Sequence, residues 1–203
     1  MTARPLREAP RDDSIVTHTY VPAVQLRAII KLEDSLQLAH FTADDAFSLG
    51  LTIRQRLRAL SPNPAVVSIS HANSGNLLFH ATSRPGIQPD NDIWVARKRK
   101  TVHRWGVSTW FMNIKFQGDE AEFARKYALG SGPEAGSYAI HGGGVPVRVK
   151  GVEGIVGVVV VSGLKQEEDH MVVVEALEEF VRQEGGLDKK RSVEGEDPVV
   201  LDA

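Results

Sequence analysis

The sequence predicts an α/β sandwich of the PAS- or profilin-like kind: an antiparallel five-stranded sheet flanked by helices on both sides. Three observations carry this. Segments of helical and strand periodicity follow one another in the order ααββα(α)βββα. The strands are short and joined by hairpin-sized links, which favour antiparallel pairing. A chain of 203 residues, 42% hydrophobic and 25% charged, suits one soluble domain with extensions.

The elements follow in order. Residues 1–19, charged and punctuated by proline, read as a disordered arm, and 185–203 as a disordered tail, leaving a single domain over 20–184. Val24, Ala28, Leu32, Ser35 or Leu36, and Ala39 recur at helical spacing, with Pro22 in the first turn. A second helix starts at Thr42 as N-cap, and Asp44 and Asp45 complement its dipole. Phe47, Gly50, Leu51, Arg54 and Leu57 trace its inner side, and Ser61-Pro62-Asn63-Pro64 ends it. "AVVSISH" and "NLLFHAT" flank the turn "ANSGN" and predict a hairpin. "DNDIWVARKRKTVHRWG" predicts a helix capped by Asp90 or Asn91, with Trp94, Lys98, Val102 and Trp105 on one face. Residues 108–127 read as helix in pieces, and "LGSGPEAGS" as a loop. "SYAI", "VPVRVK" and "IVGVVVVSG" predict three strands, the last two joined by a tight hairpin at Gly151–Gly154. A helix over 166–183 follows, with Met171, Val174, Leu177 and Val181 facing inward.

Composition excludes several classes. With no cysteine there is no disulfide, thiolate nucleophile, iron–sulfur cluster or thiolate-ligated haem. The longest apolar run, Ile155 to Val161, is strand-sized, far short of the ~18 residues a membrane helix needs, so no membrane partner is expected. A net charge of −2 gives no broad positive field, and no nucleic-acid partner is expected. The first residues lack the apolar core of a secretory signal, so the cytoplasm is the expected location.

Three segments are candidates for chemistry. "HGGGVP" places His141 before Gly142, Gly143 and Gly144. An oxyanion loop would need a downstream G-x-S-x-G elbow, which is absent, and no phosphate-loop lysine follows. The glycines then form either a strand bend or a bare backbone wall facing a ligand or a neighbouring subunit. "ARKRKTVHRWG" carries Arg97, Lys100 and Arg104 on one helical face, with the tryptophans on another. That face is either solvated, subunit-facing, or an anion or propionate contact. The run Glu167-Glu168-Asp169-His170 points in too many directions to ligate one metal and suits a helix start, so no metal site is assigned. Of seven histidines, His141 and His103 are the best ligand candidates; a neutral imidazole is the obvious axial donor to haem iron here.

"HGGGVPV", "GIVGVVVVSGLKQEEDH", "DNDIWVARKRKTVHRWG" and "FTADDAFSLG" together resemble the haem-degrading-domain family of HbpS-like and GlcG-like proteins. The resemblance spans roughly 40–182 and is greatest to a branch with fungal and bacterial members. Gly143-Gly144-Val145-Pro146-Val147, Gly157 to Gly163, and Glu168-Asp169 match the family pattern. The basic run Arg97 to Lys100 departs from the K-A-x-x-A that others often carry there. The resemblance implies an α/β sandwich, closed homo-oligomers and, in some relatives, haem binding or breakdown.

The functional expectation is an oligomeric cytoplasmic protein binding haem or a similar small anionic ligand. His141, Gly142, Gly143, Gly144, His103, Arg97, Lys100 and Arg104 are the candidate contacts. The alternative is an oligomeric scaffold with no small molecule. No acid–base pair stands out, so no catalytic residue is assigned.

Overall fold

Thr42 caps its helix from both directions. Its hydroxyl accepts from the Asp45 amide at 3.2 Å, and the Asp45 carboxylate accepts from the Thr42 amide at 2.7 Å. The helix so started, α2, runs Ala43–Leu60 in a computed structural model that describes residues 21–130 and 132–194. The arm expected over 1–19 lies outside the described residues.

Before α2 come helix α1, Val21–Asp34, and strand β1, Gln37–Leu38. After it come β2, Val66–His71; β3, Leu77–Thr82; α3, Pro89–Trp105; α4, Thr109–Lys115; and α5, Glu120–Lys126. A single turn α6, Pro133–Gly136, leads to β4, Gly144–Val149, β5, Gly157–Ser162, and α7, Gln166–Glu194. The strands form one five-stranded sheet in the order β1-β4-β5-β2-β3.

Each strand of the sheet's centre is buried on both faces, and alternation sorts its side chains. Val67, Ile69, Val145, Val147, Val159 and Val161 join the main core with residues of α1, α2, α4 and α7. Their neighbours Val66, Val158 and Val160 pack against Val95 and Val102 of α3 on the other face. Helices therefore do cover both faces. A smaller cluster, Met112, Phe116, Phe123, Leu129, Tyr138 and Ile140, holds α4, α5 and the chain after α6 together.

Four expectations are corrected. The sheet is mostly, not wholly, antiparallel: β1 pairs with β4 in parallel, Gln37 opposite Arg148. That strand lies where the first helix was expected to continue; α1 stops at Asp34 because Leu36 and Leu38 are drawn into the core. Conversely, "SYAI" is no strand. Thr101 of α3 occupies its backbone instead, donating to Ala139 O at 2.8 Å and accepting from Ala139 N at 3.1 Å. A helical hydroxyl thus takes the place of a strand neighbour. Finally, α7 continues through Gly185 and Gly186 to Glu194. Two interior glycines cost a helix only about 1 kcal/mol each, so they weaken it without ending it. Residues 195–203 lie outside the described residues.

Smaller shifts follow from packing. The buried line of α2 is Ala46, Leu49, Gly50, Ile53 and Leu57, while Phe47 remains 54% exposed. Gly50 is on that line because the Phe79 ring occupies the space a Cβ would fill. The N-cap of α3 is Gln88, whose amide donates to the Asn91 side chain at 3.0 Å.

Candidate functional site

Lys98 of α3 is the residue that organises the site, and its ammonium reaches the backbone near the end of β5. Its side chain is 3% exposed, and its ammonium donates to Asp169 at 3.0 Å and to the Val161 carbonyl at 2.9 Å. Asp169, in the first turns of α7, is equally buried and reaches back to the turn that precedes its helix. It accepts from the Leu164 amide at 3.1 Å and the Gly163 amide at 3.3 Å. Burial pulls the Lys98 pKa below the ordinary lysine range, and the Asp169 charge opposes that.

The triple glycine lies directly over this pair. Gly143 has φ of +117°, and a Cβ there would strike the Val161 carbonyl oxygen and come within 2.9 Å of both Lys98 Nζ and Asp169 Cβ. Its carbonyl accepts from the Val161 amide at 2.9 Å. The Gly142 amide donates to the Gln166 side chain at 3.3 Å, and the Gly144 amide to the Thr109 hydroxyl at 2.9 Å. Three helices and a strand therefore meet at bare backbone.

A cleft of about 280 Å³ opens beside it, lined by Asp90, Asn91, Trp94, Lys98, His141, Gln166, Asp169 and the 162–164 turn. His141 stands at its mouth, edge-on to Trp94 with ring centroids 4.9 Å apart. Its Nδ1 is 3.4 Å from a Glu120 carboxylate oxygen: ion-pair range, but outside directed hydrogen-bond geometry, which leaves this buried atom unsatisfied. The side chain as a whole is 41% exposed, so the open part of the ring lies away from Nδ1. The contact with His141, and beyond it the Arg97 charge, hold the Glu120 carboxyl below the usual range against the effect of burial.

The other residues singled out from sequence are placed differently. Arg97 donates to Tyr138 O at 3.0 Å, lies 3.4 Å from Glu120 and sits 4.4 Å over the Trp94 ring. Lys100 pairs with Glu134 at 3.1 Å and bonds Ser137, and Arg104 donates to the Tyr138 hydroxyl at 2.8 Å. These three cations tie α3 to the 120–138 segment, and two of them lie over tryptophans that were expected on a separate face. His103 is outside the cleft lining; burial and then the Arg99 charge lower its pKa. A second cleft, of about 590 Å³, lies at the opposite end of the sheet between Phe41, His71 and the 152–156 loop.

Sequence reasoning missed Lys98 and Asp169 as a pair. A lysine at an inward helical position was the available signal, since burying that charge requires a partner. Among the described residues, no three histidine or carboxylate groups converge on a metal position, and no helix is long and apolar enough to cross a membrane.

Residues 41–178 match the family described as haem degrading protein HbpS-like. This chain belongs to the HbpS-like family. It is 43% identical over 150 residues to a UPF0303 protein of Streptomyces avermitilis, covering 73% of this chain and 86% of that one. It is 34% identical over 161 residues to UPF0303 protein YBR137W of Saccharomyces cerevisiae, covering 79% and 86%. The crystal structure of Ybr137w protein superposes with a TM-score of 0.72 at 32% identity, over 86% of this chain and 98% of that one. The crystal structure of HbpS matches at 0.51 and 21% identity, over 70% and 89%, a likeness of fold.

Two groups in this HbpS-like chain make its stability respond to pH. His170, fully enclosed and stacked on Trp110 at 5.8 Å, has its pKa lowered to about 3, by burial first and then by the Lys98 charge. Its neutral form stabilises the fold above the unfolded value near 6.5, and that stability is lost as pH falls from there toward 3, on the order of 4 kcal/mol in full. Burial raises Glu33 to about 7, so its contribution is whole below 4.5 and lost as pH rises through 7. Urea midpoints measured across pH should therefore fall on both sides. His170→Gln should flatten the acid limb and Glu33→Gln the neutral-to-alkaline one; limbs unchanged by these replacements would contradict the assignment.

Proposed function

We propose that the chain binds haem, or another flat anionic ligand, at the mouth of the Lys98–Asp169 cleft, with His141 as donor, and does so as a cytoplasmic homo-oligomer. One observation carries the reading: Nδ1 of His141 faces the Glu120 carboxylate while the ring, 41% exposed, lines the cleft. A carboxylate 3.4 Å behind the imidazole can orient the ring, as carboxylates do behind metal-ligating histidines. Family membership supports haem as the ligand class. Bound haem would supply an iron centre for the imidazole, and Trp94 would give a flat wall; Gly142–Gly144 are buried against the chain's own atoms and do not line the cleft.

At about 280 Å³ the cleft falls just below the range of cofactor pockets, ~300 to ~1,000 Å³. A porphyrin would extend beyond it, and a second copy of the chain would cover the remainder. Arg97, Lys100 and Arg104 already have partners in the 120–138 segment, so counter-charge for propionates is left out of this proposal.

Haem titrated into the purified protein should give a Soret band displaced from that of free haem, and His141→Ala should abolish the displacement. His71→Ala, in the larger second cleft, should leave it intact. A spectrum equal to free haem, or one sensitive only to His71, would overturn the proposal. Light scattering should give a mass above that of one 22.2 kDa chain.

A further inference from the structure

We propose that the floor of the same cleft captures carbonyl compounds: the Lys98 amine condenses with a small aldehyde or ketone that carries no carboxylate. The proposal goes beyond the haem reading and needs no haem. Lys98 lines the cavity although its side chain is only 3% exposed. Its ammonium has three protons, and among the described residues two acceptors meet it, Val161 O and Asp169. In the neutral amine the remaining direction holds the lone pair.

Gly143 keeps the amine uncovered, because a Cβ there would lie 2.9 Å from Nζ. Asp169 does not depend on the lysine proton, since the Gly163 and Leu164 amides also donate to it. The proton can therefore leave while the carboxylate stays solvated by backbone, and burial favours its leaving. His141 lines the same cavity. Asp90 and Asp169 at the walls disfavour substrates with a carboxylate of their own.

The step balances without redox. The Nζ lone pair attacks the carbonyl carbon, a C–N bond forms, and the π pair moves to oxygen. Asp169 takes one N–H proton and passes it to that oxygen, then relays the second N–H proton to the resulting hydroxyl as the nitrogen lone pair forms the C=N bond, the C–O bond breaks and water leaves. Amine and carbonyl enter; imine and water emerge.

The test treats the full chain with propanal and sodium cyanoborohydride at pH 7, the hydride trapping any imine, and maps alkylation by peptide mass spectrometry. Exposed Lys31, Lys126, Lys150 and Lys165 provide the internal comparison. Lys98 should be labelled before these, because burial lowers its pKa and favours the neutral amine. Labelling that follows exposure, with Lys98 unmodified until urea unfolds the chain, would overturn the proposal. A failed haem titration with Lys98 still labelled would sink the haem reading alone.

Discussion

Asp169→Ala should lower the stability of the fold by about 3–5 kcal/mol, the loss found when one member of a buried ion pair is removed. The Lys98 ammonium would keep one acceptor, Val161 O, on a side chain only 3% exposed. The Gly163 and Leu164 amides would lose their carboxylate in the same change. Urea unfolding followed by tryptophan fluorescence measures the effect as a shift in midpoint at constant m. Replacing both partners, Lys98→Met with Asp169→Leu, should recover more than half of the loss, because two apolar side chains leave no uncompensated charge. A double variant no more stable than Asp169→Ala would show that the amide contacts, not the ion pair, carry the energy.

Gly143→Ala should be still more damaging than its size suggests. Its φ of +117° lies where side-chain-bearing residues are strained by about 1–3 kcal/mol, and the new methyl would run into the Val161 carbonyl. Displacing that carbonyl breaks its bond to Lys98 and disturbs the Val161–Gly143 backbone pairing. A loss above about 4 kcal/mol, or failure to accumulate folded protein, is expected. Gly151→Ala separates strain from collision: φ there is +74° with nothing within 4 Å of the added methyl, so about 1–2 kcal/mol is expected. Equal losses at the two positions would mean that the collision relaxes freely and that the wall over Lys98 is soft.

Much of the fold was legible because local chemistry and tertiary structure agree. Thr42 with Asp45, the "ANSGN" turn, and the valines of 158–161 each specify one local conformation, and the fold uses it. The strand count came out at five by an exchange. "SYAI" has strand-like alternation but is held by Thr101, while Gln37–Leu38 has two residues and no periodicity to detect. Such pairings depend on what a distant segment brings to them.

The site divides the same way. His141 lines the cleft and Gly143 lies over the Lys98–Asp169 pair because a histidine beside bare backbone already limits what the local chain can be. Lys98 was hidden inside a run of four basic residues, where only the helix's rotation distinguishes the inward one from Arg97, Arg99 and Lys100. Asp169 was hidden among acidic neighbours for the same reason. One residue of error along α3 exchanges a buried amine for a surface cation.

The sheet's two rims are unequal. One ends in a stub of two residues, paired through Gln37 and Leu38, too short to template another strand. The other, β3, is six residues long and bears a 56% exposed Leu77, with one carbonyl near its end covered by Arg54. Growth by strand addition is therefore one-sided. A second chain pairing with β3 would meet a blunt far side, so such edge pairing would give closed pairs rather than open-ended fibres.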